Sequence, residues 1–280
     1  MKFSVCAVDR DLPAELPFPM RGWSYEECAA RAAALGFDGI ELQIQDPAEY
    51  TPAGLRRILH HYNLQASAVT TGLAYTYEGL SMTHPDPAIR AKTVIRLKRQ
   101  LDLAAELDSR ILIGYLRGRR QPGQSDEEFE AVLTDSVSQV LAYAEEIRTP
   151  MVMEQINHRD GDVFCSTERT MTFLEKFNSD WLQYNGDTYH MADEDPDIEA
   201  AVRRSLGKLV LFHVSDVGRS QPDGRHFPFE RAAAVLKAAN YDHWVSIEWK
   251  PLPTSNESSL FGIRYLNNVF GNGIVTDKVC

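Results

Sequence analysis

The chain has 280 residues, a formal net charge of −11 and a hydrophobic fraction of 44%. That length suits one large α/β barrel or two small domains, and it buries a sizeable core without disulfides. So acidic a surface repels phosphate backbones and argues against a nucleic-acid partner, and no apolar run approaches the roughly 20 residues of a membrane span.

The N-terminal "MKFSVCAVDRDLP" has too short an apolar stretch for a signal peptide. Cys6, Cys28, Cys165 and Cys280 form no CxxC pair and no zinc-ribbon spacing. Reduced thiols, packed or on the surface, and a cytoplasmic location are the expectation.

In chain order, short β-type runs alternate with longer runs of helical period. The first four expected strands lie near 2–7 (KFSVCA), 39–43 (GIELQ), 64–70 (LQASAVT) and 110–115 (RILIGY). The next four lie near 150–155 (PMVMEQ), 181–186 (WLQYNG), 209–214 (LVLFHV) and 244–249 (WVSIEW). Helices are expected near 24–35, 51–62, 86–107, 126–147, 167–176, 196–205, 229–239 and 256–268. Ser24 with Glu27 reads as a capping box, and Ser125 precedes an acidic first turn that suits the helix dipole. Gly36 sits just past a helix end, where a left-handed backbone is expected. The amphipathic "FGIRYLNNVF" (261–270) reads as core packing for the final helix, ahead of a subunit contact.

Eight strands alternating with eight helices predict a parallel sheet closed into a single (β/α)8 TIM barrel spanning 1–280. The rival, an open doubly wound sheet, calls for a Gly-rich phosphate turn after the first strand, and "VDRDLPAELPFPMRGW" has no GxGxxG. In a barrel, active sites form at the C-terminal ends of the strands. Glu154, Asp187, His213 and Glu248 fall at or near the ends of strands five to eight. Adjacent strands then bring them around one point. Three ionised carboxylates in a semi-enclosed mouth need compensation. A divalent cation supplies it, and three oxygens with one imidazole suit Mn2+ first, with Mg2+, Co2+ or Zn2+ as alternatives.

These stretches carry a resemblance. "MEQIN", "NGDTYHM", "FHVSDVGRSQPDG" and "SIEWK", with "GIELQ" and "DPAIRAKTVIRLKRQLDLAAEL", resemble the xylose isomerase-like TIM-barrel superfamily. Within it they are most similar to the sugar isomerases and epimerases that include the D-tagatose and D-psicose 3-epimerases. The resemblance implies metal ligation by Glu154, Asp187, His213 and Glu248, with Glu154 and Glu248 doubling as the catalytic acid/base pair. It implies substrate contacts from His190 and Arg219, and assemblies such as homodimers or homotetramers. Glu41 matches a position often acidic in the group, so it either hydrogen-bonds substrate or structures the barrel mouth. The strand-five loop "NHRDGD" departs from the group, with Asp160 or His158 in place of a substrate-holding glutamate. Arg117, Arg119 and Arg120 in "YLRGRRQPG" either bind a substrate phosphate bidentately or form a solvated basic loop.

The implied chemistry is epimerisation or isomerisation of a ketose or ketose phosphate through a metal-stabilised enediolate. A keto-inositol dehydratase or another lyase would use the same equipment. From other classes come an endonuclease IV-like phosphodiesterase, which calls for extra histidines on the early strands, and a non-catalytic sugar-binding barrel.

Overall fold

The computed structural model describes residues 1–271; Cys280 lies outside the described residues. Eight strands, β1 (Lys2–Ala7), β2 (Gly39–Gln43), β3 (Gln65–Thr70), β4 (Ile111–Ile113), β5 (Met151–Glu154), β6 (Leu182–Asp187), β7 (Leu209–Val214) and β8 (Trp244–Ile247), pair in sequence order. Every pairing is parallel, and β8 returns to β1 to close the barrel. The helices among the described residues are α1 (Tyr25–Leu35), α2 (Pro52–His61), α3 (Gly72–Glu78), α4 (Pro87–Glu106) and α5 (Asp126–Glu146). They continue as α6 (Thr167–Glu175), α7 (Thr188–Glu194), α8 (Ile198–Ser205), α9 (Phe229–Ala238) and α10 (Ser255–Val269). The fold is the (β/α)8 TIM barrel that the alternating pattern predicts. None of the described helices is long and apolar enough to cross a membrane.

Local chemistry sets these elements. Ser24 and Glu27 form the full capping box on α1, and Ser125 forms another with Glu128 on α5. Gly36 adopts φ 89° behind α1, as its position predicts. Two helices escape the sequence reading. α3 and α7 are seven residues each, too short for a helical period to register, and both follow their strands almost without a loop. Asp187 explains α7: the last residue of β6 is also the helix cap, its Oδ1 accepting from the Tyr189 N–H at 2.8 Å.

Side chains alternate along each strand. Ala68, Leu112, Val152, Leu211 and Trp244 form a buried apolar layer inside the barrel. Phe212, Val214, Val245 and Ile247 face outward into the shell beneath the helices. Two residues further along the inward rows, the character changes: Glu154 follows Val152, His213 follows Leu211, and Ser246 then Glu248 follow Trp244. α10 seals the outside with Ile263 and Leu266 buried, and its C-cap Phe270 is buried as well. Its Gly262 packs closely on β8, where a Cβ would lie 2.4 Å from Ile247 Cδ1 and force that side chain to shift.

Candidate metal centre at the barrel mouth

The polar layer is assembled by strand register. Glu154 pairs with Asn185, Asp187 with His213, His213 with Ser246, and Glu41 with Cys6. The β6–β7 ladder shifts between Tyr184 and Asn185. Without that irregularity Asp187 would face Phe212; with it, Asp187 meets His213.

His213 is the hub. Its Nδ1 lies 3.3 Å from Glu154 Oε1, 3.6 Å from Asp187 Oδ2 and 3.1 Å from Glu248 Oε2. One donor atom from each of these four buried residues lies within 4.8 Å of every other. Two unit charges of like sign 4 Å apart repel by about 4 kcal/mol at an effective dielectric of 20. The consequences are visible in the acids. Burial, reinforced by Glu248 and Asp187, pushes the Glu154 carboxyl up to about 8. Burial also pushes Glu248 up. Asp187 goes the other way: burial is the largest single influence and opposes its ionisation, but Arg219, His190 and His213 together outweigh it and hold the carboxyl well below the carboxylate range. Burial disfavours a charged His213, yet Glu41 and Glu248 reverse that and lift it well above its ordinary value. The donor set, its enclosure and its excess of negative charge fit a divalent cation that would displace the protons from His213 and Glu154.

Around this centre stand groups that orient it. Glu41 is fully buried, and its Oε2 lies 3.0 Å from His213 Nε2. Its other oxygen accepts from Thr70 Oγ1 at 3.0 Å, Cys6 Sγ at 3.3 Å and Gln43 Nε2 at 3.4 Å. Glu41 therefore holds the imidazole from beneath with Nδ1 facing the acids. These contacts fit the structural one of its two sequence readings. Asn185 Nδ2 donates to Glu154 Oε1 at 3.0 Å. Gly114 leaves room for the same carboxylate, since a Cβ there would sit 2.5 Å from Glu154 Oε2. Asn185 was missed although its signal exists: it precedes Asp187 by one strand period.

His190 and Arg219 meet on one side of the centre. The Asn157 backbone N–H donates to His190 Nδ1 at 3.1 Å, which leaves the ring proton on Nε2. Burial keeps His190 well below its ordinary value, so the ring is neutral. Its Nε2 lies 3.0 Å from Arg219 Nη2. With Nε2 protonated, both are donors, and they converge as a pair suited to an incoming oxygen acceptor. Arg219 Nη1 also contacts Asp187 Oδ2 at 2.5 Å and Glu248 Oε2 at 2.8 Å. Its backbone φ is 57°, uncommon for a long side chain, beside Gly218 at 70°. The turn that aims this guanidinium inward is strained.

The centre opens into a cavity of about 210 Å3. Glu154, Glu248, Arg219 and Asp160 line it, with Tyr115 and Tyr189 above and an apolar wall from Leu16 to Phe18. A larger surface groove of about 540 Å3 lies between α8 and α9, but its arginines are paired with Glu199 and no titratable cluster converges there. Of the strand-five loop candidates, Asp160 reaches the cavity; His158 is turned outward onto Glu194 at 2.6 Å. Arg117 is enclosed by the protein. It is 2% exposed, and its guanidinium donates to the carbonyls of Val163 at 2.8 Å, Glu154 at 3.4 Å and Ile156 at 3.5 Å. It braces the strand-five loop and offers no fork to a ligand. Arg120 pairs with Asp126 at 2.7 Å and Arg119 lies 4.0 Å from Asp162. The three arginines form no phosphate cradle.

Comparison with known proteins gives a consistent family. Residues 29–268 match the family described as "Xylose isomerase-like TIM barrel". The chain is 26% identical over 221 residues to an L-ribulose 3-epimerase of Methylomonas sp. (strain DH-1), covering 78% of this chain and 76% of that one. It is 25% identical over 228 residues to a D-psicose 3-epimerase of Enterocloster bolteae, covering 78% and 74%. A crystal structure of D-allulose 3-epimerase from Methylomonas sp. in complex with D-allulose superposes with a TM-score of 0.81 at 20% identity, covering 96% and 97%.

Proposed function

We propose, from the premise that this chain belongs to the xylose isomerase-like TIM-barrel family, that it is a divalent-metal-dependent epimerase or isomerase of a free ketose. The observation that carries this reading is the convergence of Glu154, Asp187, His213 and Glu248 within 4.8 Å of one another at the mouth. Relatives spanning most of the chain are ketose epimerases by name, which supports the choice of reaction class.

Glu154, Asp187, His213 and Glu248 would hold the cation. When bound, it supplies Lewis acidity, polarising the sugar carbonyl and stabilising negative charge on its oxygens. The chain's own groups do the rest. Glu154 ends β5 and Glu248 directly follows β8, the outermost of four adjacent strands, so a sugar between them presents opposite faces to two carboxylates. One removes the proton from carbon and the other delivers a proton on the far side. The His190 Nε2–H and Arg219 Nη2–H pair donates to the substrate oxygen beside the reacting carbon and stabilises its developing charge. Asp160 accepts from hydroxyls further out. The cavity, at about 210 Å3, falls below the usual ~300–1,000 Å3 of ligand pockets and suits a compact ligand. Glu15 and Asp160 on its wall add negative charge, and Arg117 and Arg120 of the strand-four loop are already engaged elsewhere. These favour unphosphorylated sugar. A phosphodiesterase with a multi-zinc site is disfavoured because the candidate clusters among the described residues share a single imidazole, His213.

Incubating the protein with Mn2+ and a panel of free and phosphorylated ketoses in D2O tests this directly. Deuterium is expected at C3 of a free ketose and at least tenfold more slowly in its phosphate; equal or faster labelling of the phosphates would overturn the substrate class. A second expected outcome concerns Glu41→Gln. Loss of the carboxylate under His213 should weaken Mn2+ binding by about 10–100-fold, measured by calorimetry. Unchanged affinity would remove Glu41 from the support of the centre.

A further inference from the structure

The opposite, N-terminal end of the barrel holds a second cavity, of about 300 Å3. Its chemistry is the reverse of the mouth. Lys2 and Arg110 line it together with Gln65, and Leu59, Leu64 and Trp244 form its apolar side. Arg110 is partly buried, and its Nε is buried without any hydrogen-bond partner. Among the described residues no carboxylate pairs with this guanidinium. Burial lowers its affinity for a proton, and the small opposing influence comes from Tyr241. Lys2 Nζ donates to Gln65 Oε1 at 2.9 Å and stands 5.3 Å over the Trp244 ring, likewise without an acidic partner. Asp108 on the lining engages neither cation, while Arg56 is occupied by Glu106. His243 senses the same field: burial lowers it first, Asp242 opposes that, and Arg110, Lys2 and the N-terminal ammonium lower it further.

In a chain of net charge −11, two cations thus line one cavity without an ion pair to any carboxylate among the described residues. Leaving a partly buried guanidinium unpaired is costly unless something pairs with it. A guanidinium with an adjacent ammonium matches a doubly charged oxyanion better than a single carboxylate. From the convergence of Lys2 and Arg110 on this cavity we infer that the barrel floor binds a phosphate group, either inorganic phosphate or a small phosphate ester whose body rests on Leu59, Leu64 and Trp244. The N-terminal face of such barrels serves stability, so the ligand acts as a stabiliser.

Calorimetric titration with inorganic phosphate at constant ionic strength tests this. Saturable binding is expected, with an affinity about tenfold lower in Arg110→Gln and in Lys2→Gln. Thermal denaturation at about a hundred times the dissociation constant should show a midpoint rise of about 5 °C in the parent. Acetate should bind at least tenfold more weakly than phosphate. Tighter binding of glycerol 3-phosphate identifies an ester as the ligand; equal or weaker binding identifies inorganic phosphate. Absence of saturable binding, acetate binding as tight as phosphate, or unchanged affinity in the variants overturns the site. Should Arg110→Gln fail to fold, the Lys2→Gln titration alone decides.

Discussion

Glu154→Gln and Glu248→Gln are each expected to lower solvent-deuterium exchange at the ketose C3 by about 10^3-fold or more. General acid/base groups contribute about 10^2–10^4-fold, and here each also loses a ligand charge. The amide keeps an oxygen in place, so metal content separates the two losses. A variant that retains its Mn2+ yet fails to exchange has lost the acid/base group. Unfolding is not expected to confuse the result. Glu154 is a buried carboxylate beside Asp187 and Glu248, and burial already pushes it up to about 8. The glutamine amide mimics the neutral carboxyl that burial already favours, so near neutral pH metal-free Glu154→Gln should melt no lower than the metal-free parent. Because Asn185 Nδ2 donates to Glu154 Oε1, the glutamine carbonyl preserves that contact. Full exchange in either variant sinks the acid/base assignment.

Removing the metal by chelation and dialysis is expected to abolish exchange, with Mn2+ restoring it. The melting midpoint should fall at the same time. A cation present at about a hundred times its dissociation constant adds about 2.7 kcal/mol, or roughly 5–10 °C for a chain of this size. The donors, three carboxylates and the Nδ1 of His213, favour borderline-hard ions. Restoration should be stronger with Mn2+ or Co2+ than with Mg2+. Undiminished exchange in protein shown to be metal-free would falsify the metal-dependent reading while leaving the barrel intact.

The site was legible where a strand period exposes it. Glu154, His213 and Glu248 interrupt apolar runs, and a charge inside a buried strand must have a partner, so the residue type alone flags it. His190 and Arg219 were implied by resemblance, not by pattern, because their place depends on a short helix and a strained turn. Arg117 is the opposite case. Its position in a basic loop suggested a ligand contact, but the carbonyls of Val163, Glu154 and Ile156 claim its guanidinium. Hydrogen-bond demand from a distant loop leaves no trace in local sequence.

Alternating β and α runs were enough to specify one closed barrel, and residue types alone placed acids and a histidine at the ends of its last four strands. Apolar periodicity is local, so it is written in the residues. Which atoms meet was decided by tertiary structure alone. The register shift between Tyr184 and Asn185 sets Asp187 against His213 in place of Phe212, and Glu41 reaches His213 across the barrel from β2. Register and closure are long-range choices, fixed by how whole strands pack, and a one-residue slip at β6 would leave the same sequence with no centre.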